Sequence, residues 1–264
     1  MQLQVLGVGD AFTSRYYNTS FLLRSRRLFL IDGPHALFRL LRERRIERES
    51  INDVIVTHVH GDHTSGLETL ILWKKHVEKR RLVVHTSKAV FRELRDRFFV
   101  AFQHGFTPDF KEIVSSKFED YVQFSELKTS GRNPLDDDVS IEVRHNWHPT
   151  PTLGLMIVGP GGSVGISGDT CYRPSLLREL FEKGELEPER YDKLAGDWLW
   201  SADVIYHEAA RQAPTPHTLE SDLLELPEAV RSKIRLIHYS DNFTQGPLPL
   251  AQEGEIISKI DYAR

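Results

Sequence analysis

His58, His60, Asp62 and His63 fall within six consecutive positions of the stretch VTHVHGDHTSG, in a chain with 12 histidines in all. Imidazole nitrogens and carboxylate oxygens are metal donors, and this spacing suits two ions better than one. Residues i and i+2 of an extended segment point the same way, so His58 and His60 can converge on a single ion. Gly61 lets the backbone turn sharply, which aims Asp62 and His63 at a second ion nearby. A mixed nitrogen and oxygen donor set suits zinc, manganese or iron; calcium prefers an all-oxygen shell. Six residues cannot supply four or five ligands to each ion, so a real centre needs more donors from later strand ends. The sequence offers His148 in NWHPTPTLG, Asp169 in GISGDT and His238 in RLIHYS, each closing an apolar β-type run. His145 competes with His148 from three residues away. His76, His85 and His104 lie on helical or strand patterns without ligand partners and read as ordinary surface or core residues.

The elements that must carry these residues alternate between β-type and helical runs, the pattern of a layered α/β fold. LQVLGVG and SFLLRSRRLFLID read as opening strands. ALFRLLRERRIE places Leu37, Leu40, Leu41 and Ile46 on one helical stripe. DVIVTH is a buried strand that delivers the histidine cluster at its C-terminal end. The helix LETLILWKKHVEKR, the strand RLVVHT and the helix SKAVFRELRDRFFVAFQ follow. Strands then crowd together (IEVRHNW, LGLMIVG, SVGISGD), with glycine turns as punctuation. A helical insert over about 173–200 precedes the strand DVIYHEA, the helix SDLLELPEAVRSKI and the strand RLIHYS. With no repeat, linker or composition break, one domain over 1–264 is the economical reading.

Apolar residues make up 40% of the chain and charged residues 27%, so disorder, collagen and coiled coil are excluded as classes. No apolar run is long enough to span a bilayer, and no signal peptide is read at the start. A single cysteine, Cys171, rules out an internal disulfide and fits a reducing cytoplasm. The net charge of −4 opposes whole-surface attraction to nucleic acid. The basic runs RERRIER and KKHVEKRR are interleaved with glutamate and read as solvated helix faces.

The ordered series HVHGDH, HPTPTLG, SGDT, HEA and LIHYS resembles the metallo-β-lactamase superfamily, and within it the ribonuclease Z and cyclic phosphodiesterase branch. LGVGDAF and the LIDG at 30–33 resemble the same branch, so the likeness spans essentially the whole chain. The resemblance implies an αββα sandwich, α/β in class, with a dinuclear site at one edge. It implies that His58, His60 and His148 hold one divalent ion, that Asp62, His63 and His238 hold the other, and that Asp169 bridges them. Zinc leads the expectation, with manganese or iron served by the same donors. His148 is preferred to His145 because the P-T-P-T-L-G after it matches the branch.

YHEAA followed by PTPHTLES resembles the H-E-A-T and H-S-T segments of the branch, in which a glutamate hydrogen-bonds a histidine over the scissile phosphate. This maps onto Glu208 and His217, which join Asp62 as the catalytic residues; the chain departs from the pattern by having His217-Thr218-Leu219. Phosphodiester hydrolysis needs an attacking hydroxide, neutralised phosphoryl oxygens and a protonated leaving group. Two ions supply the first two needs and a carboxylate-supported histidine the third. His207 reads as a buried strand residue.

Other branches fit less well. β-Lactam hydrolases commonly place a cysteine where Asp169 stands, di-iron oxygen reductases place a glutamate where His60 stands, and the H-E-A segment disfavours a thioesterase of glyoxalase type. Ribonuclease Z proteins carry a long tRNA-gripping arm between the third histidine motif and G-D-T. Here His148 and Asp169 are only 21 positions apart, which leaves room for two strands and a turn. The extra length lies in the helical insert, which would cover the site or make a homodimer contact. Its stripe of Leu176, Leu177, Leu180 and Phe181 reads as core-facing. The expected activity is therefore metal-dependent hydrolysis of a small or cyclic phosphodiester. A tRNA 3′ endonuclease is the nearest competitor, and a non-catalytic iron sensor of oxygen or another ligand is the alternative from a different class. No membrane partner is expected.

Overall fold

The computed structural model describes residues 1–258. Its first half runs β1 (Gln2–Gly7), β2 (Ser20–Arg24), β3 (Leu28–Ile31), α1 (Leu37–Glu43), β4 (Asp53–Ile55), α2 (Gly61–His76), β5 (Leu82–Thr86) and α3 (Lys88–Phe102). The hairpin β6 (His104–Phe106) and β7 (Ile113–Ser115) and the strand β8 (Val122–Glu126) complete it. The second half runs β9 (Asn133–Pro134), β10 (Ser140–His145), β11 (Leu153–Gly159), β12 (Gly162–Ile166), α4 (Pro174–Glu182), α5 (Pro188–Ala195) and β13 (Val204–Glu208). It closes with α6 (Glu220–Leu224), α7 (Glu228–Arg231), β14 (Ile234–Ile237) and β15 (Ile256–Ile257).

Two large sheets result, one ordered β15-β1-β2-β3-β4-β5-β8 and the other β14-β13-β12-β11-β10-β9, beside the small two-stranded sheet of β6 and β7. Their central strands are apolar on both faces. Phe21, Leu22 and Leu23 of β2 and Ile205 and Tyr206 of β13 are almost wholly buried, because one face meets the other sheet and the opposite face meets helices or loops. The rings of Phe21 and Tyr206 lie 5.2 Å apart across the sandwich, and one continuous core runs through both sheets. The strands β3, β4, β5 and β8 run parallel, as do β12, β13 and β14. Their carboxyl ends open onto one edge, the place where layered α/β proteins assemble ligand sites.

Four sequence expectations change. SFLLRSRRLFLID is two strands, because the polar Ser25-Arg26-Arg27 forms a turn closed by a 3.0 Å bond from the Ser25 amide to the Arg27 carbonyl. The helix expected from Leu67 begins at Gly61, so Asp62 and His63 occupy its first turn. The Gly, Asp, Thr and Ser of HGDHTSG read as loop, but a tertiary contact overrides that preference. A Cβ at Gly66 would sit 2.1 Å from the Pro34 carbonyl oxygen, so glycine there lets the helix seat its first turns against the loop after β3. SDLLELPEAVRSKI is not one helix: Pro227 separates α6 from α7, since proline disfavours helical backbone in the residue before it. In α4 only Leu177 is buried. Phe181 is 38% exposed and stacks on Tyr191 of α5 at 4.6 Å, so part of the stripe is spent on pairing the two insert helices. The hairpin β6–β7 and the strands β8, β9 and β15 were outside the sequence reading. Among the described residues no helix is long and apolar enough to cross a membrane.

Candidate metal centre and active site

Five of the seven expected donors sit just beyond strands on the same edge, and Asp62 and His63 follow on the first turn of α2. His58 and His60 follow β4, His148 lies in the loop between β10 and β11, Asp169 follows β12, and His238 follows β14. Two backbone features fix the ends. Gly168 has φ of 58° and a Cβ there would lie 2.4 Å from the Leu153 carbonyl oxygen, so only glycine lets the chain fold over β11 and present Asp169. His238 has φ of 53°, a left-handed conformation that costs a non-glycine residue about 1–3 kcal/mol and that clusters at functional sites.

The donors converge in two groups. His58, His60, His148 and Asp169 form one, and Asp62, His63, Asp169 and His238 the other, with ligand atoms inside each group within 4.8 Å of one another. Asp169 belongs to both. In the first group, His60 Nδ1 lies 3.1 Å from His58 Nε2 and 3.2 Å from His148 Nε2, and His58 Nε2 lies 3.5 Å from Asp169 Oδ2. In the second, His63 Nε2 lies 3.2 Å from Asp62 Oδ2 and 3.3 Å from Asp169 Oδ1. His238 Nε2 is 3.1 Å from Asp62 Oδ2 and 3.6 Å from Asp169 Oδ2.

Both groups suit a divalent ion. Donor separations slightly above 3 Å are those of ligands gathered around one centre with bonds of about 2.0–2.2 Å. His63 Nε2 is buried with no hydrogen-bond partner, an arrangement that is costly unless the lone pair has another acceptor of its electrons. The tautomers agree. His63 Nδ1 donates to Asp32 Oδ2 at 2.8 Å. Thr57 donates its hydroxyl to the same oxygen at 2.7 Å and so accepts from His58 Nδ1 at 3.1 Å. With their Nδ1 protons engaged, His58 and His63 turn Nε2 lone pairs inward.

Charge balance points the same way. Burial pushes His58 and His60 below the usual imidazole value and takes His148 down to about 4, so these three stay neutral, the ligand form. Burial would also lower His63 and His238, but Asp169 and Asp62 outweigh it, holding His63 well above its usual value and His238 at about 9. Burial opposes ionisation of Asp62 and Asp169, yet the surrounding histidines hold both carboxyls below the ordinary carboxylate range. The pocket thus concentrates negative charge that calls for cations, and protons occupy that role where no ion is bound.

A third cluster adjoins the second group: Glu208 at the end of β13 and His217, together with Asp169 and His238. Glu208 Oε2 accepts a hydrogen bond from His217 Nδ1. Its Oε1 accepts the amides of Thr170 at 2.6 Å and Thr218 at 3.3 Å. Burial would lower His217, but the Glu208 bond outweighs it and keeps the imidazole above its usual value. Burial raises Glu208, with His217 opposing. The His217 ring lies 4.9 Å from that of His238 and 6.0 Å from that of His148, over both ion groups.

All of the expected residues therefore meet at one place. His145 ends β10 and belongs to neither ion group, and His207 is buried and stacked on Trp200 at 5.4 Å. His85 is a buried partner of Asp53 at 2.8 Å. Sequence reasoning did not single out three positioning groups. Asp32, with its acid directly after the apolar run LFLI, carried the same strand-end signal as Asp169. Asn146, whose amide donates to the carbonyls of Ser167 at 2.6 Å and Asp169 at 3.0 Å, carried none. Nor did Thr218, which stands where the branch has a serine. Its hydroxyl donates to the Thr170 carbonyl at 2.9 Å and accepts the Tyr172 amide at 3.0 Å, tying the His217 loop to the Asp169 loop. The expected effect of Asp32→Ala follows from its bond to His63: metal affinity at the second group falls about 10–100-fold. Competition with a metal-binding dye checks it, and an unchanged affinity contradicts the role.

Comparison with known proteins places the chain in context. A family model described as Anti-Pycsar protein Apyc1 matches residues 1–256. The chain is 30% identical over 253 residues to an Anti-Pycsar protein Apyc1 of Saccharibacillus brassicae, covering 93% of this chain and 92% of that one. It is 24% identical to the cGMP-dependent 3′,5′-cGMP phosphodiesterase A of Dictyostelium discoideum over 96% of its own length but only 27% of that longer protein. In structure it is similar to the metallo-β-lactamase fold protein YhfI of Bacillus subtilis, with a TM-score of 0.68 at 14% identity, covering 97% and 98% of the two chains. The fold is accordingly the metallo-β-lactamase sandwich.

Proposed function

From the premise that this chain belongs to the Anti-Pycsar protein Apyc1 family, we propose that it is a dinuclear metal-dependent phosphodiesterase acting on 3′,5′-cyclic nucleotides. The observation that carries the reading is the His217–Glu208 pair set over two donor groups that share Asp169. His58, His60, His148 and Asp169 would hold one ion, and Asp62, His63, His238 and Asp169 the other, with zinc the first choice for this donor set and manganese or iron the alternatives. Bound there, the ions supply Lewis-acid polarisation of the phosphoryl oxygens and a lowered water pKa.

The chain's own groups do the rest. Glu208 fixes the ring of His217 and favours its protonated form, leaving Nε2–H free to face the substrate. Water adds to phosphorus and releases a proton to solvent, the bond to one of the two ester oxygens breaks, and that oxygen takes the proton from His217, giving a nucleoside monophosphate; His217 then regains a proton from solvent. Thr170 and Thr218, through their amides to Glu208, keep the carboxylate from rotating away.

A small substrate is favoured over tRNA. The hairpin of β11 and β12 fills the interval between His148 and Asp169, which leaves that interval no gripping arm, and the net charge is −4, where polyanion binding draws on many cationic contacts. The His217–Glu208 pair argues against a sensor, since ion binding alone has no use for a proton donor. The test is to incubate the metal-loaded protein with cyclic nucleotides, bis-p-nitrophenyl phosphate and a precursor tRNA. Turnover of cyclic nucleotides is expected; cleavage of the tRNA alone favours the endonuclease, and no phosphodiester turnover dismisses both.

A further inference from the structure

Next to the metal centre lies a cavity of about 840 Å³ whose wall includes His148, well within the size of small-molecule sites, about 300–1,000 Å³. On one side it is bounded by the end of β10 and the loop through Pro149 and Pro151, and on the other by α5 of the insert. The insert therefore flanks the site. Arg190 of α5 places its guanidinium 4.9 Å from the centre of the Trp147 ring, and Trp147 immediately precedes His148.

Resting on the cyclic-nucleotide reading and deepening it, we infer that this cavity takes the nucleoside part of the substrate, with the base against Arg190. Three features support the assignment. The His148 ring, on the cavity wall, is 5.0 Å from that of His60 and 6.0 Å from that of His217, so the cavity adjoins the place where a phosphodiester would sit beneath His217. A guanidinium with one face on Trp147 offers the other to a flat π system, the surface on which nucleobases stack. The wall also carries Arg144, Arg190 and Lys193 against Glu142, Glu187 and Glu189, three cations balanced by three anions. Such a wall suits an uncharged base and gives no excess attraction to a second phosphate.

Two variants test it from opposite directions. Arg190→Ala removes the stacking surface on an exposed side chain, and Leu194→Trp, also on the wall, fills the space. The readout is the ratio of kcat/KM for 3′,5′-cyclic GMP to kcat/KM for methyl p-nitrophenyl phosphate, which has no base. Each variant is expected to lower that ratio about tenfold, mostly through KM, as expected for the loss of one base stack, whereas Lys183→Ala, just past the end of α4, leaves it unchanged. A ratio unaltered in both variants overturns the inference. A wild-type protein that turns over methyl p-nitrophenyl phosphate but no cyclic nucleotide overturns the substrate reading itself, and the inference with it.

Discussion

Replacing His217 by alanine is expected to lower kcat for a 3′,5′-cyclic nucleotide by about 10²–10⁴-fold, the usual contribution of a positioned proton donor, with the metal content of the protein unchanged. The reasoning is chemical. A ribose alkoxide is a poor leaving group and needs a proton as the phosphorus–oxygen bond breaks, and His217 is the imidazole that Glu208 orients over both donor groups. An ester that releases p-nitrophenolate, a far weaker base, leaves without that proton, so the variant should lose much less activity on bis-p-nitrophenyl phosphate. The pH dependence carries the same signature. The Glu208 bond outweighs burial and raises His217, so the donor stays protonated below its raised pKa and is lost as pH climbs through it. The alkaline limb of the kcat profile should therefore lie above about 6.5, the unperturbed imidazole value, and vanish in the alanine variant. Equal losses on both esters, or an unaltered limb, would remove the proton-donor role from His217.

The second large effect belongs to Asp169. It is the one side chain common to both donor groups, with its oxygens 3.3–3.6 Å from His63, His58 and His238. Asp169→Asn keeps the shape but removes the charge that balances both ions. The expected outcome is loss of both metals and a fall in kcat/KM of about 10³-fold or more, the kinetic counterpart of several kcal/mol of ion-supplied charge stabilisation. Asp62→Asn touches only the second group, so it should release one ion and spare the other. Elemental analysis of the two purified variants, with thermal melts to show that each is folded, separates these cases. If Asp169→Asn retains both ions, Asp169 is not shared.

The candidate metal donors were legible in the sequence because chemistry at strand ends is a local signal, whereas Glu208, His217 and the choice of His148 over His145 rested on the family resemblance. His58, His60, Asp62 and His63 stand together in the chain, and His148, Asp169 and His238 each close an apolar run. The alternation of runs likewise gave away a layered α/β plan, while the pairing of two sheets in a sandwich was implied by the family resemblance alone. What was hidden depends on contacts between distant segments. Nothing in HGDHTSG announces a helix, because the close approach of Gly66 to Pro34 that seats it lies outside the stretch. The face of α4 looked core-directed because periodicity reports an apolar stripe without naming what covers it, and here Tyr191 of α5 covers part of it. Asn146 and Thr218 were invisible for a related reason: a polar residue in a loop is ordinary until a loop some twenty or more residues away supplies the carbonyl it holds.

The central claim, that seven side chains hold two ions that the reaction requires, meets its most direct test in one titration. Metal-free protein is loaded stepwise with zinc or manganese, and at each step bound metal per chain and hydrolysis of 3′,5′-cyclic GMP are measured on the same sample. The expected result is binding that saturates at about two ions per chain, with activity rising only as the second site fills and disappearing again on chelation. Saturation at one ion or none, or hydrolysis that persists in the metal-free protein, would contradict it.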